Sequence, residues 1–412
     1  MGNGIVTLNG PPSRHTIWGF DVYLLLLVVS LLVFGLLMVY SASWDYSLLV
    51  YGSEARMFQR QLVWLGLALL AAIVCSRVDY HRWHRRAALV LLLVSLFLLL
   101  VVLFFGEERF GARRTLFSGS FQPSELVKLA LVIYLAVWVN AKRGVLNDVG
   151  YGLIPLTFIL GPACALIALQ PDWSALLTVV MLGGVMFFLS GVNLKQVVIV
   201  GVGSLIIGSL VVLVLYMTGS TRITDYVSGL QDPTESSYHV LRSLGAFVRG
   251  GWLGVGFGKS EEKLTGLPVA PTDSIYAVIG EETGVVGSGA LAIWYLLLMW
   301  RGLIISRQAR DNLGMLLASG LTILVTWEAV INMGGVVGLL PFPGNALPFI
   351  SVGGSSLVIS LIAVGILMNI ARQSEGMQQV EGSLSRAVVD MRGRNRRRGV
   401  SGPIRPERSE ED

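Results

Sequence analysis

Charged residues are scarce in this chain, and that scarcity excludes an ordinary soluble domain. Of 412 residues only 14% are Asp, Glu, Lys or Arg, whereas 54% are hydrophobic and the mean hydropathy is +0.69. Such a composition indicates a helical protein that crosses a membrane several times. No segment resembles a nucleic-acid-binding element, and no nucleic acid is expected as a partner.

Cysteine and histidine are also rare, which argues against a metal centre built from them. The two cysteines, Cys75 and Cys164, lie inside apolar runs and are expected to serve packing rather than a disulfide. The four histidines form no zinc-binding spacing. The glycine-rich stretch that ends at Gly258-Lys-Ser260 lacks the GxxxxGK[ST] spacing of a nucleotide-binding loop.

Apolar runs of membrane-spanning length recur about ten times. They are predicted at 21–41, 57–75, 87–105, 122–140, 150–169, 172–190, 195–217, 273–300, 313–335 and 349–371. The first run shows no small-residue cleavage site, so it is expected to be a membrane helix rather than a signal peptide. The expected fold is therefore all-α and polytopic.

The segments between and around these spans give the domain organisation. Residues 1–20 are predicted as an N-terminal segment, 21–372 as the membrane domain, 218–272 as a long polar, glycine-rich loop, and 373–412 as a disordered tail with basic and acidic clusters.

Basic residues concentrate in the even-numbered loops, and this asymmetry predicts the orientation. Lys and Arg favour cytoplasmic loops. The residues concerned are Arg77, Arg82, Arg85, Arg86, Lys142, Arg143, Lys195, Arg301, Arg307 and Arg310. Both termini are then cytoplasmic, and the 218–272 loop lies outside.

Asp273 opens the eighth span, directly after a stretch rich in Pro and Gly. Ionisable groups at membrane depth are costly, so Asp273 is a candidate for a catalyst or transport site, with a helix cap as the plain alternative. Glu281 and Glu282 lie eight and nine residues further on. At about 100° per residue they point roughly 80° and 180° away, so neither can pair with Asp273 on one straight helix face.

Three arginines occupy a short loop that the orientation places outside, against the charge rule. Arg113 and Arg114 suit phosphate, because guanidinium is a forked, permanent cation. An ion pair with Glu107 or Glu108 is an equally good interpretation.

Two further polar groups are expected at the same membrane face. Glu125 and Lys128 are three residues apart and share a helix face, as either a structural salt bridge or part of a polar cavity. Asp172 follows Gln170-Pro171 and has the position of a helix N-cap. The Pro- and Gly-rich stretch 338–356 should line a cavity or be buried in protein. Together these features predict an outward-facing cavity suited to an anionic amphiphile.

Several ordered motifs resemble the SEDS family of peptidoglycan glycosyltransferases, typified by RodA, FtsW and SpoVE, over about residues 20–372. They are Gly111-Ala-Arg-Arg114, Phe121-Gln-Pro-Ser-Glu125 with Lys128, Gln170-Pro-Asp172, Leu267-Pro268 with Thr272-Asp273, Ile279-Gly-Glu-Glu282, Asn332, Gly338-Leu-Leu-Pro341, Leu347-Pro348 and Gly353-Gly-Ser-Ser356. The Gly254-Val-Gly-Phe-Gly258 stretch with Ser260 and Lys263 is closer to FtsW than to RodA.

The resemblance implies an enzyme of the bacterial cytoplasmic membrane that polymerises lipid II on its outer face, in cell division or elongation, and releases undecaprenyl diphosphate. Asp273 would be the general base or the ligand of a divalent cation, Mg²⁺ or Mn²⁺. Substrate-binding roles are implied for Arg113, Arg114, Gln122, Glu125, Lys128, Asp172, Lys263, Ser355 and Ser356. The implied partners are a class B penicillin-binding protein, a transpeptidase, other division or elongation membrane proteins, and membrane lipid.

Departures from the family pattern surround Asp273 and leave two other functions open. Pro271 replaces the pattern's histidine, Ser274 its phenylalanine, Thr115 its tryptophan and Val352 its tyrosine. The alternatives are a lipid II flippase and a scaffold without activity. A flippase needs polar or broken-helix elements near the midplane, whereas the polar features here gather on one side.

Overall fold

The computed structural model describes residues 16–17, 20–109, 112–116, 121–217, 221–232, 235–268 and 270–374. The predicted N-terminal segment lies outside this part up to residue 15, and so does the predicted tail from residue 375 onward. The helices are α1 (Val22–Tyr51), α2 (Arg56–Arg77), α3 (Arg85–Phe105), α4 (Pro123–Lys142), α5 (Leu153–Leu169), α6 (Trp173–Leu189), α7 (Leu194–Met217), α8 (Thr221–Gln231), α9 (Tyr238–Gly250), α10 (Glu262–Thr265), α11 (Ile275–Arg307), α12 (Asn312–Val336) and α13 (Gly354–Ser374).

The predicted membrane-spanning helices are confirmed. Seven helices are long and apolar enough to span a membrane, namely α1, α2, α3, α4, α11, α12 and α13. Three further apolar helices, α5, α6 and α7, bring the total in the described part to ten. The chain is thus an all-α, multi-pass membrane protein.

Helices α4, α12 and α13 form the centre of the bundle. In α13, 89% of the most apolar stretch is buried inside the protein, against 11% in α2 at the periphery. Helix α12 packs against both α4 and α11. Helices that are apolar all round can be either buried or lipid-facing, so the pattern of hydropathy alone does not rank them by depth.

Two short antiparallel hairpins accompany the helices. β1 (Thr16–Ile17) pairs with β2 (Phe20–Asp21), and β3 (Glu107–Arg109) pairs with β4 (Ala112–Thr115). In the second hairpin Glu108 lies opposite Arg113. This hairpin follows α3 and ends shortly before α4, so it brings Arg114 to the end of the bundle where α4 begins.

Helix α11 starts two residues after Asp273 and breaks at Gly284, whose φ is 71° and ψ −174°. The segment after α9 fills the break: Val255 N–H donates to Glu281 O at 3.0 Å, and Val285 N–H donates to Gly251 O at 2.9 Å. Backbone groups at membrane depth must find partners within the protein, so this segment allows the helix to break there. The predicted straight span 273–300 is therefore two helical pieces that continue to Arg307.

The 218–272 segment, expected as a loop, contains the three helices α8, α9 and α10. Helix α9 buries Val240, Ser243, Ala246 and Gly250, a spacing of three and four residues that is typical of an amphipathic helix. It packs against α11 and α12. With 13 residues it is too short to be found by a search for long apolar runs.

Candidate active site

Asp273 lies in a turn that three hydrogen bonds hold in place. The carbonyls of Pro271, Thr272 and Asp273 accept, in order, from Val352 N–H at 2.9 Å, Ser351 Oγ at 2.6 Å and Asn332 Nδ2 at 3.0 Å. The donors belong to α12 and to the irregular stretch between α12 and α13. The backbone on both sides of the Asp273 carboxylate is therefore fixed by residues distant in the sequence.

The Asp273 carboxylate and the Arg114 guanidinium both lie close to Gly344. A methyl group placed on Gly344 would lie 3.5 Å from Asp273 Oδ2 and 3.6 Å from Arg114 Nη2. Gly344 has a φ of +64°, the left-handed region that glycine adopts without strain. The absence of a side chain here leaves open the space that both charged groups face.

A cavity of about 290 Å³ opens beside this point. Asp273, Arg114 and Gly344 form one part of its wall, and residues of α8, of α9 and of the segment just before α9 form another part. The second part includes Asp225, Tyr226, Ser236, Ser237, Tyr238 and His239. Asp273 and Arg114 are both half-buried, so a substrate in the cavity can reach them. Charged, aromatic and hydroxyl groups in one cavity suit a ligand that carries both sugar and phosphate.

A second polar cluster surrounds Asp172, which is the N-cap of α6 as the sequence predicted and is 1% exposed. Asp172 Oδ2 accepts from Gln122 Nε2 at 2.8 Å and from Ser124 Oγ at 3.0 Å. The backbone N–H of Gln122 donates to Ser355 Oγ at 3.2 Å. The positive charges of Arg114 and Lys128 act on the Asp172 carboxylate, so Arg114 connects this cluster to the Asp273 wall.

A buried charged triad joins α4 to α12. Lys128 Nζ donates to Glu125 Oε1 at 2.7 Å and also to the carboxylate of Glu328. At most 8% of each of the three side chains is exposed. The predicted pairing of Glu125 with Lys128 is present, and Glu328 is an additional partner. Glu328 could have been found in the sequence as a lone acid within an apolar span, since such residues face the interior of a bundle.

Lys263 belongs to a third cluster, which does not line the cavity. Its ammonium donates to Glu282 Oε1 at 2.9 Å, to Gly258 O at 3.0 Å and to Ser41 O at 3.1 Å. Glu281 accepts from Ser260 Oγ and from the N–H of Glu261 at 3.0 Å. Glu281 and Glu282 thus hold the segment after α9 against α11, and neither lines the cavity with Asp273.

Comparison with known proteins settles the family. The family model described as "Cell cycle protein" and named for FtsW, RodA and SpoVE matches residues 22–376. The chain belongs to the FtsW/RodA/SpoVE family. It is 40% identical to a probable peptidoglycan glycosyltransferase FtsW of Trichlorobacter lovleyi, over 85% of this chain and 93% of that protein. It is 35% identical to stage V sporulation protein E of Bacillus subtilis, over 86% of this chain and 97% of that protein.

Solved structures of family members share the fold. One chain of a peptidoglycan synthase complex, described for its coordination of polymerization and crosslinking, aligns with a TM-score of 0.69 at 26% identity, over 87% of this chain and 99% of that one. The rod shape determining protein RodA of Thermus thermophilus aligns with a TM-score of 0.63 at 27% identity, over 86% and 97% of the two chains.

The family's motif residues fall into five places. Asp273 and Arg114 share the cavity wall, Gln122, Asp172 and Ser355 form the adjoining cluster, and Glu125 with Lys128 lies buried behind it. Ser356 is buried in the first turn of α13, and Lys263 is in the separate third cluster. The side chain of Arg113 lies outside the described part of the chain. The substrate-binding roles implied for all of these residues stay predictions.

Proposed function

We propose that this protein is a peptidoglycan glycosyltransferase that polymerises lipid II at the outer face of the cytoplasmic membrane and releases undecaprenyl diphosphate. The observation that carries the proposal is the placement of the Asp273 carboxylate and the Arg114 guanidinium around the open space at Gly344. The FtsW relative, a probable peptidoglycan glycosyltransferase that matches over 93% of its length, supports the same activity.

In this proposal the two charged groups have complementary roles. Asp273 accepts the proton of the acceptor sugar hydroxyl as that oxygen bonds to the anomeric carbon of the donor sugar. The bond from that carbon to the diphosphate breaks, and the electron pair leaves with the diphosphate oxygen. Arg114 stabilises the negative charge that develops there, as a fixed cation aimed at a leaving group does. The hydrogen bonds to the carbonyls of residues 271–273 hold the base in position.

The charge distribution supports the orientation in the membrane. The short loops and helix termini at the end of the bundle opposite Asp273 carry Arg82, Arg85, Arg86, Lys142 and Arg310. By the positive-inside rule the opposite end faces the cytoplasm and the cavity opens outside. Lipid II presented on the outer leaflet then reaches the cavity directly.

A crosslinking partner follows from the same activity. The solved chain that aligns best in TM-score among those described above belongs to a complex that coordinates polymerization with crosslinking. We expect this protein to bind a single-span class B penicillin-binding protein, whose transpeptidase domain would act on the strand as it leaves the cavity. Such a pairing is tested by co-purification from membranes.

A divalent cation at Asp273, Mg²⁺ or Mn²⁺, stays a prediction. Across the residues that the structure describes, no group of three or more His, Cys, Asp or Glu side chains could hold a metal ion. The guanidinium beside Asp273 also opposes a cation by charge. The steps above therefore use no cation. Polymerisation measured after chelation, with and without each metal added back, tests the prediction.

The decisive experiment compares purified wild-type protein with Asp273→Ala in detergent, with labelled lipid II and with and without a class B penicillin-binding protein. Wild type should form glycan polymer and Asp273→Ala should not. Asp148→Asn, which changes an exposed carboxylate at the opposite end, should retain activity. Polymer from Asp273→Ala would refute the base assignment. If even the wild type makes no polymer in any condition, transport or scaffolding replaces the proposed activity.

A further inference from the structure

His239 is a titratable residue of the cavity that no sequence motif singled out. It lies in the first turn of α9 and lines the cavity together with Asp273 and Arg114. His81 and His84 lie at the opposite end of the bundle, next to the start of α3. Among the described residues that line this cavity, His239 is the one histidine.

The imidazole is held in a defined orientation. Its ring stacks on Phe342, with 4.6 Å between ring centroids and 20° between ring planes. Phe342 is two residues from Gly344, where Asp273 and Arg114 meet. Ser237 caps α9 by accepting from Val240 N–H at 3.4 Å, so the turn that carries His239 is itself anchored.

A second anchor ties α8 to the same irregular stretch. Tyr226 OH donates to Leu339 O at 3.0 Å. The stretch 337–353 thus contacts the α8 and α9 wall through residues 339 and 342, and the Asp273 turn through residues 351 and 352. Both walls of the cavity are fixed against one segment, so His239 keeps its place relative to the Asp273 wall.

The charges that line the cavity do not suit a diphosphate when His239 is neutral. Among the lining residues that the structure describes, the charged groups are Arg114 from β4, Asp225 from α8 and Asp273. Among these described groups, one cation lies with two carboxylates, and this excess of negative charge repels phosphate. A proton on His239 restores balance, and a bound diphosphate favours that proton further, because an opposite charge nearby stabilises the imidazolium.

We propose that His239 is a second cationic group for the diphosphate of the substrate, acting beside Arg114 from the α9 side of the cavity. The proposal rests on the glycosyltransferase function and deepens it. The family pattern has a histidine two residues before the catalytic Asp, where this chain has Pro271. His239 contributes an imidazole to the cavity from a different element, α9.

The test compares His239→Gln and His239→Arg with wild type, and uses His84→Gln as a control at the opposite end. Steady-state polymerisation of lipid II is measured from pH 6 to pH 8.5. The wild-type KM should rise as His239 loses its proton. His239→Gln should raise KM about tenfold at the acidic end, as expected for one lost charge-assisted hydrogen bond, with a smaller change in kcat. His239→Arg should keep KM low at alkaline pH, because guanidinium remains charged and also stacks on aromatic rings.

Binding of farnesyl diphosphate, followed by the protein's intrinsic tryptophan fluorescence, gives a readout that needs no catalysis. Affinity should fall in His239→Gln and be retained in His239→Arg, while farnesol should bind all variants alike. A wild-type KM and affinity in His239→Gln at every pH would overturn the proposal. So would an equal loss in both variants, since that outcome marks a packing role. An active wild type with an unaffected His239→Gln would refute this inference alone, and an inactive wild type would refute the glycosyltransferase function instead.

Discussion

Replacement of Lys128 by Met should destabilise the protein far more than replacement of Glu328 by Gln. Lys128 is the shared cation of two buried acids, Glu125 at 2.7 Å and Glu328. Its loss leaves both carboxylates uncompensated in a site where at most 8% of either acid is exposed. Removal of one partner from a buried pair costs about 3–5 kcal/mol. After Glu328→Gln, by contrast, Lys128 and Glu125 still form a neutral pair, and the amide oxygen can still accept, so the cost should stay below about 1.5 kcal/mol.

Equilibrium unfolding in mixed micelles of dodecyl maltoside and SDS measures both free energies. Lys142→Met is the matched control, because Lys142 lies in the last turn of the same helix and is exposed. Its effect should stay within about 0.5 kcal/mol. The double variant Lys128→Met/Glu328→Gln should recover part of the loss, since only one acid then remains unpaired.

Equal costs for Lys128→Met and Glu328→Gln would contradict this reasoning, since they would mean that Glu328 is held charged by groups other than Lys128. A Lys128→Met protein as stable as the Lys142→Met control would show that the triad contributes no net stability. Either result would leave the triad without the locking role between α4 and α12 that its geometry indicates.

Two further predictions concern glycine and lysine positions near the site. Gly344→Ala should abolish polymerisation, because its Cβ would fill the space that Asp273 and Arg114 face. Gly52→Ala is the control: Gly52 has a φ of +66°, and a Cβ there would have nothing within 4 Å. This variant should show the same backbone strain of about 1–2 kcal/mol but keep full activity. Equal activity loss in both would attribute the effect to strain. Lys263→Met should lower stability by about 3–5 kcal/mol and leave the KM for lipid II unchanged, because the three donors of its ammonium are occupied by Glu282, Gly258 and Ser41. Exposed Lys259→Met is the control, and a raised KM with unchanged stability would instead establish the predicted binding role.

Membrane-spanning helices could be predicted because length and hydropathy together nearly determine them. A run of about 20 apolar residues has few other stable forms, and all ten predicted spans are helices here. The break in α11 at Gly284 was harder to predict from the sequence. It is stabilised by hydrogen bonds from the segment after α9, and that segment lies some thirty residues earlier in the chain. Helix α9 was missed because a short amphipathic helix at a membrane surface carries too few apolar residues to register as a span.

Site residues could be predicted where an ionisable side chain would be costly to bury without a partner. Asp273 stood out as an acid at the mouth of an apolar run, and Glu125 with Lys128 stood out by spacing. Glu328 carried the same signal and was overlooked because its partner lies 200 residues away in the chain. Asn332 was noted only as part of a family motif, although its side-chain amide donates to the Asp273 carbonyl and so positions that residue. Such contacts depend on which helices pack together, which composition and periodicity do not specify.

The departures around Asp273 gain a physical explanation from the turn that holds it. Pro271 contributes its carbonyl oxygen and Val352 contributes its N–H, and these two groups bond at 2.9 Å. Both are backbone groups, so replacement of the pattern's histidine by proline and of its tyrosine by valine preserves the bond that orients Asp273. Proline has no N–H, but the 271–352 bond needs only its carbonyl. What this chain lacks at 271 is therefore the imidazole and not the geometry, and His239 contributes an imidazole to the cavity that Asp273 lines.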